Sequence, residues 1–475
     1  MEKCHFLIVT FPAQGHINPT LQFSKSLAKS GVKVTFSTSL SAVQRMEKTE
    51  CSLPENLTIV PFSDGYDGGW ATVDDFSEYY SSIVFIGSQS LEKIIREQES
   101  EGHPITHAVY STMMSWVGEL IRSLSIPSTL LWIQPAALFD IYYHYFHGYD
   151  KIIAESDETD SVVELPGLPL LNSRDLPSFV LKSSPGIYNF ALSALKWHFE
   201  ILDKDEDRRP TVLVNSFDAL EPGPLHAIEK IRFVPVGPLL PSAYLDRRDP
   251  LDASFGGDLL QSRSDYGEWL NSKEAESVVY VAFGSYSDIP LKQLEEVAEG
   301  LLKSKRPFLW VMRKSPKGET LVEKLSCRKE LEKEGVIVEW CSQVEVLSHT
   351  SVGCFVSHCG WNSIMESLVC GVPVVGVPQW ADQATNAKLI EDVWMTGIRA
   401  LPSAKDGIVE AQEIRKCLDV VLSGEKMKVN AKKWRDLAVE AAKVGGSSHL
   451  NLMGFVKELR DAYTSTCVNN SLLLT

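Results

Sequence analysis

The stretch WCSQVEVLSHTSVGCFVSHCGWNSIMESLVCGVPVVGVPQWADQ, Trp340 to Gln383, reads as two strand–turn–helix units in succession. Gly353-Cys354-Phe355-Val356-Ser357 is an apolar run too short for a helix, which predicts a buried strand. His358-Cys359-Gly360-Trp361 forms the turn, and Asn362 or Ser363 is expected to cap a helix that Gly371 ends. Pro373 to Pro378 is the next buried strand. A helix beginning at the carboxyl end of a parallel strand points free N–H groups and its positive dipole end outward, which suits an anion. His358, Asn362 and Ser363 surround that point, so a diphosphate is the expected guest. Ser363-x-x-Glu366 equally fits a capping box, which would engage both side chains with the backbone, and His358 and Trp361 fit a core. These residues alone leave both readings open.

Working outward, the amino-terminal half alternates strands and helices. His5–Phe11 is a buried strand, Pro12 to His16 a loop, and Asn18-Pro19 a helix start. Gly31 ends that helix and Val32–Phe36 is the next strand, giving a right-handed unit of a parallel sheet. Further strands are expected at Leu57–Phe62, His107–Ser111, Ser128–Ile133 and Val212–Asn215. Helices are expected from Asp74 to Gln98, from Trp116 to Leu124, after Gln134-Pro135, and from Pro185 to Leu202, the last carrying Tyr188, Phe190 and Trp197 toward a cleft. Tyr149–Leu181, with Pro166, Pro169 and Pro177, reads as irregular.

The pattern restarts after a segment rich in Pro, Gly and Asp. Strands are expected at Ser277–Phe283, Phe308–Met312 and Val336–Glu339, with Gly284-Ser285 a turn, and helices follow the quoted stretch. The expected organisation is an α/β chain of two Rossmann-like, doubly wound domains facing a cleft. Residues 1–240 are expected to form the first domain, 241–262 a linker, 263–448 the second domain, and 449–465 a terminal helix packing back on the first. The polar end from Thr464 is expected to fray.

Composition narrows the function. The formal net charge of -16, without a long basic run, argues against nucleic acid. Nine cysteines, with no C-x-x-C pair, argue against a disulfide framework and a zinc site. No apolar stretch approaches ~20 residues, so no membrane span is expected. No signal-peptide pattern is visible, and a cytoplasmic monomer is expected.

The quoted stretch resembles the signature box of plant secondary-product UDP-glycosyltransferases, the glycosyltransferase family 1 group. Phe11-Pro12-Ala13-Gln14-Gly15-His16-Ile17-Asn18-Pro19, Phe283-Gly284-Ser285 and Leu213-Val214-Asn215-Ser216-Phe217 resemble its other motifs. Ser63-Asp64-Gly65-Tyr66-Asp67, Leu131-Trp132-Ile133-Gln134-Pro135 and Asp218-Ala219-Leu220-Glu221-Pro222 are similar to the branch holding anthocyanin 5-O-glucosyltransferases and crocetin glucosyltransferases. The resemblance implies the GT-B fold, with the acceptor bound by residues 1–240 and UDP-glucose, the donor substrate, by residues 263–448, and no metal or other cofactor. It implies that Trp340 stacks on uracil, Cys341 uses its backbone, and Gln343 and Glu366 hold the ribose. His358, Asn362, Ser363 and Ser285 would hold the diphosphate, and Trp361, Asp382 and Gln383 the sugar. Gln383, where Gln goes with glucose, implies glucose over galactose.

The implied reaction is inverting displacement at the anomeric carbon, giving a β-glucoside or glucose ester of a small metabolite such as a flavonoid, anthocyanin or carboxylic acid. His16 is the expected base, because an imidazole with an ordinary pKa of ~6.5 suits neutral pH. The family pairs that His with an Asp; here Ser111 stands at the matching strand end, and Glu119 on the next helix reads as a solvated carboxylate. A UDP-sugar-binding protein with little turnover is the alternative. A nicotinamide oxidoreductase is weak, for no G-x-G-x-x-G follows the first strand.

Overall fold

The computed structural model describes residues 4–47, 53–69, 76–159, 161–183, 189–204, 209–257, 266–285, 289–313 and 320–472. Two all-parallel sheets organise them. The first contains β1 (His5–Val9), β2 (Lys33–Ser37), β3 (Leu57–Ile59), β4 (His107–Ser111), β5 (Ser128–Trp132), β6 (Thr211–Val214) and β7 (Arg232–Pro235), in the order β3-β2-β1-β4-β5-β6-β7. The second contains β8 (Val278–Ala282), β9 (Phe308–Val311), β10 (Gly335–Val338), β11 (Val352–Ser357), β12 (Val374–Gly376) and β13 (Gly397–Arg399), in the order β10-β9-β8-β11-β12-β13. Helices cover both faces, which is why β1, β4 and β8 are buried along their whole length and read as near-continuous apolar runs.

Strand order reverses between β1 and β4 in one sheet and between β8 and β11 in the other. Crevices beyond the carboxyl ends of strands at such reversals are where doubly wound sheets bind ligands. His16 follows β1, Thr112 follows β4, Ser285 follows β8 and His358 follows β11. The terminal helix Ser447–Leu472 returns to the first sheet, where Leu452, Phe455 and Val456 pack with Phe6, Val34 and Leu213.

Several boundaries depart from the sequence reading. Helix α1 runs Gln14–Lys29, so Gly15 and His16 lie in its first turn, and Pro19 lies inside rather than at its start. Asp150–Thr159 is helical within the segment expected to be irregular. Its charged sequence hides a mixed apolar face, with Ile153 fully buried. The terminal helix continues to Leu472 instead of fraying at Thr464. The helix expected from Pro185 is described from Asn189, and Tyr188 lies outside the described residues. Among the described residues no helix is long and apolar enough to cross a membrane.

Candidate active site

One cavity of about 1280 Å³ lies between the two sheets. From the second half it is lined by Ser285, Trp340, Cys341, Gln343, His358, Trp361, Asn362, Ser363, Glu366, Asp382 and Gln383, and from the first by His16. Thirteen positions were singled out by sequence; Ser111 alone is not on its wall.

The anion end is built by the helix Trp361–Cys370. Its N-cap is Gly360, which has no side chain to cap with. Asn362 and Ser363 therefore sit inside the first turn, not at the cap, and the capping box does not form. Gln343 instead donates to Ser363 Oγ at 2.8 Å and to Glu366 Oε2 at 2.6 Å. The Trp361 N–H is directed to Asp382, and those of Asn362 and Ser363 point to the cavity end of the helix, where an anion would be favoured. His358 stands beside them. A Cβ on Gly284 or on Gly360 would lie 2.5 Å from its Nε2, so both glycines are needed to cradle the ring. Burial pulls the His358 pKa down to about 4, the nearby Arg313 charge adds to this, and the Ala282 carbonyl opposes it. Arg313 itself donates to the Ser285 carbonyl, bringing a cation behind the anion end.

The end where the sugar is expected is set by the turn before the helix Gln383–Lys388. Gln383 Oε1 accepts from the backbone N–H groups of Gln379 and Trp380 at 2.7 and 3.1 Å, which fixes its amide. Asp382 Oδ2 accepts from Asn386 Nδ2 at 2.8 Å. Burial raises the Asp382 pKa to about 6, against stabilising contacts from Asn386, Gln134 and the Trp361 backbone. Trp361 lines the cavity but is largely buried, and its indole Nε1 donates to the Asn215 carbonyl at 2.8 Å. Its part at this end is its backbone N–H toward Asp382.

His16 faces the cavity against Phe11, with ring centroids 5.4 Å apart. Burial lowers its pKa to about 4, with the Thr112 carbonyl opposing. That carbonyl is near the ring, yet Nδ1 has no partner of ordinary hydrogen-bond geometry among the described residues. Ser111 Oγ is committed elsewhere, at 2.9 Å from Thr10 Oγ1, and makes no hydrogen bond to His16. Its partner is thus the residue just after β1. Glu119 is ion-paired with Lys204 at 2.7 Å on an exposed face.

Part of the remaining wall is apolar. Phe11, Phe76, Met113, Tyr142, Phe179 and Phe190 converge there from separate segments. Phe190 fits the sequence expectation, whereas Trp197 packs against the core of the first domain. Sequence reasoning missed Thr112, Met113, Phe179, Gln134 and Arg313. Gln134 precedes the helix Ala136–His144, whose first N–H groups are capped by the buried Glu221 at 3.0 and 2.9 Å. Phe179 is held by a loop tied to the other domain. Ser178 and Ala381 exchange two hydrogen bonds, Ser178 N to Ala381 O at 2.9 Å and Ala381 N to Ser178 Oγ at 2.8 Å. In the same loop Asp175 pairs with Arg399 at 2.6 Å.

Two facing parallel sheets, with an uncapped helix N-terminus between them, define a GT-B nucleotide-sugar transferase. The UDP-glucoronosyl and UDP-glucosyl transferase model matches residues 259–439. A crocetin glucosyltransferase, chloroplastic, from Gardenia jasminoides is 52% identical over 98% of this chain and 99% of its own. An anthocyanidin 3-O-glucoside 5-O-glucosyltransferase from Verbena hybrida is 47% identical over 97% and 99%. The structure of Os79 from O. sativa with UDP superposes with a TM-score of 0.82 at 33% identity, covering 96% of this chain and all of that one. The chain belongs to the UDP-glycosyltransferase family and is an enzyme of that kind.

Proposed function

We propose that this enzyme transfers glucose from UDP-glucose, with inversion, to a phenolic hydroxyl or carboxyl group of a small apolar plant metabolite. The observation that carries the reading is that His16 and the donor residues line one continuous cavity, with an apolar wall beside His16. Uracil lies on Trp340, the ribose hydroxyls on Gln343 and Glu366, and the diphosphate on His358, Asn362, Ser363 and Ser285. Asp382 and Gln383 take the sugar hydroxyls.

The acceptor oxygen attacks the anomeric carbon as the bond to the diphosphate oxygen breaks, and the electron pair leaves with UDP. For a phenol, the proton passes to the His16 ring nitrogen that faces the cavity. Open helix N–H groups and the Arg313 charge favour the departing anion. For an acid already ionised, His16 has only to position it. The reading places the enzyme in a reducing compartment such as the cytosol, supported by Cys341, Cys354, Cys359 and Cys417, buried thiols that form no disulfide. The alternative of a sugar-binding protein with little turnover finds no support in relatives named as transferases.

The test is UDP release from UDP-glucose with and without a panel of phenols and carboxylic acids, with the product anomer read by proton NMR. A β-linked glucoside or ester is expected. An α-linked product, or UDP release indifferent to every acceptor, would refute the reading.

A further inference from the structure

The Gly15 carbonyl in the first turn of α1 accepts from Asn362 Nδ2 of the other domain at 2.7 Å. In an α-helix that carbonyl normally accepts from the N–H four residues on. Here that residue is Pro19, which lies inside α1 and has no N–H. The proline ring also crowds the carbonyl of the residue four before it and tilts it outward. An opening in the helix ladder thus lies next to His16, and a residue from the donor-side helix fills it.

We infer that Pro19 is a positioning residue for the transfer reaction: by withholding one N–H it hands the Gly15 carbonyl to Asn362 and so fixes His16 relative to the diphosphate site. The Asn362 amide nitrogen carries two hydrogens. One is spent on Gly15, and the other remains for a donor phosphate. A single side chain thereby spans the base-bearing helix and the anion end. Gln14 reinforces the same turn by donating to the Gly257 carbonyl at 2.9 Å. This inference rests on the functional reading above.

A proline that is merely tolerated predicts that replacing it helps the helix and leaves turnover alone. The positioning role predicts opposite signs. Pro19→Ala supplies an N–H for Gly15, so its melting temperature should hold or rise. Its kcat should fall by about 3- to 10-fold, since small misplacements of reacting groups are costly, while UDP affinity by calorimetry changes less than about twofold. In an Asn362→Ala background, which has already lost the contact, Pro19→Ala should cause no further loss of kcat. Pro19→Ser supplies the same N–H should the alanine variant fail to fold. The same fold-loss in both backgrounds, or an unchanged kcat in Pro19→Ala, overturns the inference. A wild type that releases no UDP under any acceptor would instead sink the functional reading.

Discussion

Ser111→Asp tests what His16 lacks. Val9 of β1 lies opposite Tyr110 of β4, so the side chains that follow, at Thr10 and Ser111, emerge together beneath the His16 turn. A carboxylate reaches about 1 Å farther than a hydroxymethyl group and carries a charge. At about 4 Å from the ring, with an effective dielectric of about 20, it would favour the imidazolium by about 4 kcal/mol. Burial of the carboxylate takes back about half, leaving about 2 kcal/mol, or about 1.5 pKa units. The His16 pKa, about 4 because of burial, would rise accordingly. If half of that added basicity is expressed in the transition state, transfer to an unactivated phenol gains about 5- to 10-fold. A carboxylic acid, ionised at pH 7, gives up no proton and gains almost nothing. The assay is kcat/KM for wild type and variant on one acceptor of each type across pH, with circular dichroism to verify the fold. Equal gains on both acceptors, or a loss on the phenol with the fold intact, would refute the reasoning and show that position 111 does not act on His16.

Three further outcomes are expected. His16→Ala should lower kcat on a phenol by about 100-fold or more while UDP-glucose binding changes little; near-normal turnover removes His16 from the mechanism. Wild type should prefer UDP-glucose to UDP-galactose, and Gln383→Ala should slow glucose transfer while UDP affinity stays nearly intact; equal wild-type rates with both donors contradict the assignment of Gln383. His107 and His198 are buried, and burial holds their pKa values at about 3. Between that value and 6.5 only the unfolded chain takes up the proton, so stability is complete above pH 6.5 and falls with acidification, by about 2 kcal/mol per histidine at pH 5. Urea midpoints at pH 7 and pH 5 should show this loss, and His198→Leu should remove its share of the pH dependence; an unchanged slope in that variant shows that His198 does not titrate on unfolding.

The sequence carries different parts of this enzyme with different clarity. The donor side was legible because every residue assigned to it except Ser285 falls within one stretch of 44 residues whose strand–turn–helix rhythm is local. Even there, Gly360 rather than Asn362 or Ser363 begins the helix, because a chain that must leave its first N–H groups to an anion cannot cap them itself. The Asn18-Pro19 start signal misled for a tertiary reason: the bond that Pro19 cannot make is replaced from residue 362, which no local window contains. The acceptor wall was legible least. Phe76, Met113, Phe179 and Phe190 come from four separate segments, and each alone looks like core. Ser111 was found by position, but its commitment to Thr10 depends on strand register.

The paired hydrogen bonds between Ser178 and Ala381 bear on how this enzyme can be re-engineered or diversify. Ala381 sits directly before Asp382 and Gln383, with φ of 56°, so the turn presenting the pair proposed to hold the sugar is itself conformationally constrained. The loop that presents Phe179 to the acceptor is braced against that same turn. On the proposed function, acceptor scope and sugar choice are therefore not separable modules. A chimera that imports this loop from a relative also resets the backbone under Asp382, and its donor selectivity has to be measured again before any change in product is credited to the new acceptor wall.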